Sequence, residues 1–72
     1  MREMCDLLIA KLIERLDYEN PITRRNAAGA LRLHGARAIP AIPALERLVN
    51  DENKGVRQEV RRALDSLCAK VA

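Results

Sequence analysis

Hydrophobic residues recur along this 72-residue chain at the spacing of amphipathic helices. A broad apolar stripe near the N-terminus predicts a first helix over about residues 3–18. Asn20-Pro21 follows, and since Asn caps helices and Pro suits their first position, we expect a second helix from Pro21. Gly35 predicts its end. The inward positions of the first helix are Met4, Cys5, Leu8, Ile9, Leu12, Ile13 and Leu16.

Two further helices are predicted in the second half of the chain. Ala-Ile-Pro occurs twice, over residues 38–43, and two prolines this close fit the first turn of a helix but not its interior. We therefore expect a third helix over about 40–50 and, after a polar turn, a fourth over about 55–71. No segment alternates as a strand would, so the fold class is all-α. The remaining inward positions are Thr23, Ala27, Ala30, Leu31, His34, Ile42, Leu45, Leu48, Val49, Val56, Val60, Ala63, Leu64, Leu67 and Val71.

The two helix pairs are copies of one pattern. A shift of 33 residues carries core positions onto core positions and Arg24 onto Arg57. It also carries one turn onto the other, because Glu19-Asn20 falls on Glu52-Asn53. We read two helical-hairpin repeats, one over about 3–35 and one over about 38–71. The aligned core pairs are Ile9 with Ile42, Leu12 with Leu45, Leu16 with Val49, and Ala30-Leu31 with Ala63-Leu64.

The second repeat carries a family pattern. Residues 42–64 contain Ile-Pro-Ala-Leu at their start, Asp51 in the turn, Val56-Arg57, and then Val60, Ala63 and Leu64. This closely resembles the short HEAT-like repeat of the phycobilisome-lyase (PBS lyase) type, and the resemblance extends over about residues 5–68. It implies a single domain over 1–72 that forms an α-α superhelix, a solenoid of two units.

The resemblance also implies an inter-repeat ladder. In repeats of this type an acid in the turn commonly meets an arginine at the start of the second helix. Asp51 and Arg57 match those places in the second unit. In the first unit Arg24 matches, but Tyr18 stands at the acidic place, between two acids.

Composition excludes several functions. The net charge is +3, and Tyr18 is the single aromatic residue, so modes that stack bases or sugars on aromatic rings are disfavoured. The chain has one histidine, no glycine-rich phosphate loop and no Cys-x-x-Cys pair, so we expect no enzyme, cofactor or metal site. His34 is expected to pack between repeats. Cys5 and Cys68 are expected to act as small hydrophobic residues, with a redox or attachment role as the alternative.

The arginines offer a candidate site. The second helix holds Arg24, Arg25 and Arg32 but no acid. Arg25 and Arg32 share a helix face with Gly29, which would leave bare backbone between them. Second helices line the concave surface of helix-pair solenoids, so we predict a basic groove for an acidic protein surface. The alternative is a solvated face with local pairs such as Glu59–Arg62 and Arg61–Asp65. The predicted interaction residues are Arg25, Gly29, Arg32, Gln58 and Arg62.

The expected role is that of an adaptor, scaffold or small regulatory subunit that binds other proteins. The resemblance leaves open an accessory subunit of a bilin lyase-like system, and the arginines leave open nucleic-acid binding. Two units are fewer than repeat arrays usually need, and neither end looks like a polar cap. We therefore expect the apolar end faces to bind a second copy or another protein, in a homo-oligomer or a larger assembly. A self-closed four-helix bundle and a piece of a longer array are the alternatives.

The sequence also predicts a compartment. Two cysteines are too few for a disulfide scaffold, and free thiols suit a reducing cytoplasm. Charged residues interrupt any apolar core of a signal peptide at the N-terminus, and the longest apolar run has four residues, Leu7 to Ala10, so no membrane segment is expected.

Overall fold

A computed structural model describes residues 6–71 of the chain, and four α-helices account for most of them. The first helix of each repeat is short, and the second is long. A 3-10 helix at Gly35–Ala41 links the two repeats. The α-helices are α1 (Leu7–Arg15), α2 (Pro21–Leu33), α3 (Ile42–Glu46) and α4 (Lys54–Val71).

Asparagine side chains start both long helices. Asn20 Oδ1 accepts a hydrogen bond of 2.9 Å from the Ile22 amide, and Asn53 Oδ1 accepts one of 3.0 Å from the Val56 amide. Each bond satisfies an amide that has no partner inside the helix. The two sites are 33 residues apart, so the predicted repeat extends to its capping chemistry.

Gly35 ends α2 as predicted. Its φ is +62°, in the left-handed region that glycine enters without steric cost, and His34 before it forms the C-cap. The residues after Gly35 continue as a 3-10 helix that contains Pro40, instead of a plain linker. The doubled Ala-Ile-Pro explains this, since Ala38 and Ala41 are buried three residues apart, at the period of such a helix, and Ala44 in α3 continues the same spacing.

Two predicted helices are shorter than expected. The third spans Ile42–Glu46 instead of 40–50, because Pro40 belongs to the 3-10 helix and the chain beyond Glu46 forms turns. In those turns Leu48 and Asp51 donate to carbonyls three residues back. The first helix ends at Arg15 instead of residue 18, where the same tight bonds take over.

The core lies between the repeats and follows most of the predicted stripes. Leu16, Leu31, Leu45, Val56, Val60 and Leu67 are the largest fully buried side chains. Two predicted inward residues are wrong, since Leu8 and Val71 are 46% and 59% exposed. Cys68, expected to act as a small hydrophobic residue, is also exposed. They lie near the outer ends of α1 and α4, where residues 6–71 provide no helix to cover them. Met4 and Cys5 lie outside the described residues.

The helices form an open two-layer arrangement. The main contact joins α2 to α4, while α1 packs on α2 and α3 packs on α4. A bundle closed on itself would bring α1 extensively against α3 or α4, and within residues 6–71 no extensive contact of this kind occurs. The predicted all-α superhelix of two hairpins is confirmed, and the four-helix bundle is not formed.

Candidate functional site

The predicted ladder joins the two repeats through one buried ion pair. Arg24 Nη2 donates to Asp51 Oδ2 at 3.0 Å, and the two side chains are 10% and 9% exposed. Arg24 is the single charged residue in the buried core of residues 6–71. The pair connects the arginine of one unit to the acid of the next.

Each ladder arginine also closes the turn of its own repeat. Arg24 Nη1 donates to the carbonyls of Tyr18 and Glu19, both at 2.7 Å. Arg57 Nη1 donates to the carbonyls of Asp51 and Glu52, at 2.7 and 3.1 Å. The acceptors are backbone atoms, so Tyr18 fills the acidic place without loss of this bond.

The surroundings of Asp51 keep it charged. Burial alone would raise its pKa, but the Asn53 amide and the Arg24 guanidinium donate to the carboxylate. With the positive charge of Arg57 nearby, these donors hold the pKa of Asp51 below its ordinary value of 3.8. The ladder is therefore an ion pair at neutral pH.

All five predicted interaction residues line one groove between α2 and α4. Arg25, Gly29 and Arg32 come from α2, and Gln58 and Arg62 come from α4. The groove has a volume of about 630 Å³ and is open to solvent. We call it the arginine groove. These residues lie together because α2 packs on α4, and this packing fully buries Val56, Val60 and Ala63 of α4.

Glu59 also lines this groove, and the prediction missed it as a groove residue. Its Oε2 accepts from Arg32 Nε at 3.2 Å, and its Oε1 lies 3.8 Å from Arg62 Nη1. The carboxylate also covers Gly29, because a Cβ built on Gly29 would lie 3.2 Å from Glu59 Oε2. The backbone at Gly29 is therefore not bare, and the groove holds three arginines against one glutamate.

Arg25 differs from the other two arginines. It is exposed, and within residues 6–71 no carboxylate lies close enough to pair with it. Its side chain passes over the start of α4, where a Cβ built on Gly55 would lie 3.3 Å from Arg25 Cδ. Glycine at position 55 thus leaves room for the stem of Arg25, whose charge remains open to a ligand.

A sequence signal for Glu59 existed. Arg24 and Asp51 are 27 residues apart, and so are Arg32 and Glu59. The first pair joins α2 to the turn before α4, the second joins α2 to α4, and the offset of eight positions is about two helical turns. A search for opposite charges at a constant separation between α2 and the second half of repeat two would have found Glu59. The alternative local pairing is seen in part, since Glu59 approaches Arg62 but residues 6–71 show no pair between Arg61 and Asp65.

The other candidate residues show no site chemistry. His34 is half-buried as the C-cap of α2, and Cys68 is an exposed free thiol. No group of three or more metal-binding side chains occurs in residues 6–71. The longest helix there, α4, has 18 residues, and neither it nor any other described helix is apolar enough for a bilayer span.

Comparison with known proteins identifies the repeat. The model of the HEAT repeats family matches residues 9–72, which include α1 from its third residue, the other helices, the linker and every residue of the ladder and the groove. Neither the curated proteins nor the solved structures contain a match. HEAT repeats generally mediate protein–protein interaction. With two stacked hairpins and an arginine–aspartate pair between them, the chain belongs to the HEAT repeat family.

Proposed function

We propose that this chain is a non-catalytic interaction module that binds an acidic segment of a partner protein in the arginine groove. The observation that carries the proposal is the charge of this groove. Arg25, Arg32 and Arg62 converge on it, Glu59 balances one of them, and Arg25 has no acid of its own within residues 6–71. Arginine suits the role because its planar guanidinium pairs with carboxylates through two parallel hydrogen bonds.

The groove also has the form of a binding surface for an extended chain. It is shallow and open, and Leu33 beside it is 79% exposed, so a partner can combine acidic contacts with an apolar one. The role as adaptor, scaffold or small regulatory subunit in the cytoplasm belongs to this proposal.

The direct test is a binding titration with a fluorescent octaglutamate peptide at low salt. Arg62→Ala should weaken binding several-fold, because Arg62 lines the groove. Arg61→Ala is the matched control, since Arg61 is its exposed neighbour on α4 but lies outside the groove. Equal losses from the two variants would show binding by general charge alone and would overturn the proposal.

Two other functions are outcomes of parallel titrations. A DNA duplex of 20 base pairs tests nucleic-acid binding, and tighter binding than octaglutamate, with a steep salt dependence, would favour it. The resemblance of residues 42–64 to the PBS lyase type keeps an accessory role in chromophore attachment as a second proposal. A change in visible absorption on mixing with a free bilin would support that role, and an unchanged spectrum would count against it.

A further inference from the structure

A second groove lies on the face of repeat one that points away from repeat two. It shares Asn26 and Ala30 with the edge of the arginine groove, differs from that groove in its other lining residues, and has a volume of about 480 Å³. Helix α1, the turn and α2 all contribute to it. We call it the end socket, and its main lining residues are Leu12, Arg15, Tyr18, Thr23, Asn26 and Ala30.

The repeat shows what occupies this socket. Shifted by 33 residues, its lining falls on the surface of repeat two that α2 covers. There Leu45, Val56 and Ala63, the equivalents of Leu12, Thr23 and Ala30, are fully buried. In repeat two the socket is therefore filled by a helix. In repeat one no helix within residues 6–71 fills the same socket.

The charges of the two sockets are opposite. In repeat two, Asp51 and Glu59 bind Arg24 and Arg32 of α2, the helix that fills the socket. Their equivalents in the end socket are Tyr18 and Asn26, which are both neutral. Among the described residues that line the end socket, a partner helix thus finds no acid for an arginine.

The end socket also gains a positive charge. Arg15 stands at the place of Leu48, and Leu48 lines the same pocket as Arg24 and Asp51. If a helix filled the end socket as α2 fills the socket of repeat two, Arg15 would face the position that Arg24 occupies in α2. The Arg15 guanidinium and the exposed Tyr18 hydroxyl can both donate hydrogen bonds, so the complementary group is a carboxylate.

A second copy of this chain does not fit. Stacked end to end, it would present α4, the equivalent of α2. Arg61 would then take the place of Ala28, which is fully buried in the filled socket, and Arg57 would approach Arg15. Burial of Arg61 without a partner and repulsion between Arg57 and Arg15 both oppose this dimer.

We propose that the end socket binds an amphipathic helix of a partner protein, with small apolar residues toward Ala30 and a carboxylate toward Arg15. The two sites meet at Asn26 and Ala30, but the arginines of the groove do not line the socket, and Arg15 does not line the groove. The chain would therefore hold a partner helix at its end and an acidic segment in its groove. Ile22 supports the placement of a partner helix at this end. Its equivalent, Gly55, faces α2 in the filled socket, so Ile22, which is 63% exposed, would face the partner helix.

The chain's own α2 supplies the probe for a test. A peptide of residues 20–34 with Arg24→Glu and Arg32→Gln carries the apolar face of α2 and the acid that Arg15 requires. The peptide is titrated into the labelled 72-residue protein and followed by amide NMR signals. We expect shifts at Leu12, Tyr18 and Thr23, and affinity at least tenfold higher than that of the unsubstituted peptide.

The control is a charge reversal in the protein. Glu near a helix N-terminus stabilises the helix, so the substituted peptide gains helicity that could by itself raise affinity. Arg15→Glu removes this ambiguity, because Arg15 is exposed and the peptide is unchanged. The reversal should invert the preference, so that the unsubstituted peptide binds more tightly.

Three results would overturn the proposal. One is equal binding of both peptides to the protein and to the Arg15→Glu variant. Another is the absence of shifts at the end socket at millimolar peptide. The third is a concentration-dependent shift of these signals without peptide, which would show that a second copy fills the socket. Loss of octaglutamate binding leaves this result unaffected, so the two proposals fail separately.

Discussion

Arg24 and Arg57 place the same nitrogen, Nη1, against the same two backbone carbonyls of their own repeats. They differ in the second nitrogen. Arg24 Nη2 reaches Asp51 in the next repeat, whereas residues 6–71 offer no acid to Arg57 in the corresponding place. A ladder arginine therefore has two roles. Both Arg24 and Arg57 close the turn of their own repeat, but only Arg24 also joins two repeats within residues 6–71.

This difference predicts unequal costs of removal. Arg24→Met leaves Asp51 buried without its cation, and loss of one partner of a buried ion pair costs about 3–5 kcal/mol. Arg57→Met loses only bonds to carbonyls at a half-buried site, where about 1–2 kcal/mol is expected. Urea unfolding at pH 7, followed by circular dichroism, measures both free energies. Equal losses would show that the ion pair adds nothing to the turn closure.

The fold was largely predictable because the repeat is visible in the sequence. The Asn20 cap, the end of α2 at Gly35 and most of the buried stripe of α4 follow from local rules, and the structure confirms them. The length of α3 does not follow from local rules. It depends on how Ala38, Ala41 and Ala44 pack against the core, and this packing favours a 3-10 helix before α3. Periodicity over a few residues cannot distinguish the two helix types.

The site was predictable in its residues but not in its electrostatics. The second-helix rule placed Arg25 and Arg32 correctly in one groove. It could not show that Glu59 would cover Gly29 and bind Arg32, because that contact depends on how closely α2 approaches α4. The sequence predicted that the ends are covered by a partner, but the charge of the end socket becomes visible only when one repeat is compared with the filled surface of the other.

Stability should fall in acid through Asp51. Its pKa is lowered in the folded protein, so near pH 4 the unfolded chain binds more protons than the folded one. The stabilisation is thus present above about pH 4 and is lost as the pH falls through the lowered pKa. Urea midpoints at pH 7 and pH 3 should differ less for Asp51→Asn than for the unsubstituted protein.

Asp6 contributes to the same acid loss. It caps α1 and accepts two hydrogen bonds from Arg37, which lower the pKa of its carboxyl. Measuring the Asp6→Asn variant at the same two pH values therefore separates the contribution of Asp6 to the acid loss of stability from that of Asp51. If Asp51→Asn loses as much stability between pH 7 and pH 3 as the unsubstituted protein, the acid loss does not pass through the ladder.

Glu59 should limit the affinity of the arginine groove. Glu59→Gln frees Arg32 and Arg62 from their shared carboxylate, so octaglutamate should bind several-fold more tightly at low salt. Glu46→Gln is the matched control, because it changes the net charge equally but lies on α3, outside the groove. A similar gain from both variants would show that net charge, and not the groove, governs binding.

Gly29 is expected to reveal the cost of placing Glu59 against α2. Glycine within a helix is about 1 kcal/mol less favourable than alanine, so Gly29→Ala should stabilise α2. The added methyl group would lie 3.2 Å from Glu59 Oε2, and the end of this side chain must move by a few tenths of an ångström. The gain should therefore be smaller than 1 kcal/mol in the unsubstituted protein.

In the Glu59→Ala background the carboxylate is gone, and the same Gly29→Ala change should give nearly the full propensity gain. The two single variants, the double variant and the unsubstituted protein form a cycle whose coupling energy urea unfolding measures. A coupling near zero would mean that Glu59 adapts without loss. A positive coupling would show that glycine at position 29 makes room for the carboxylate that holds Arg32 and Arg62 in the groove.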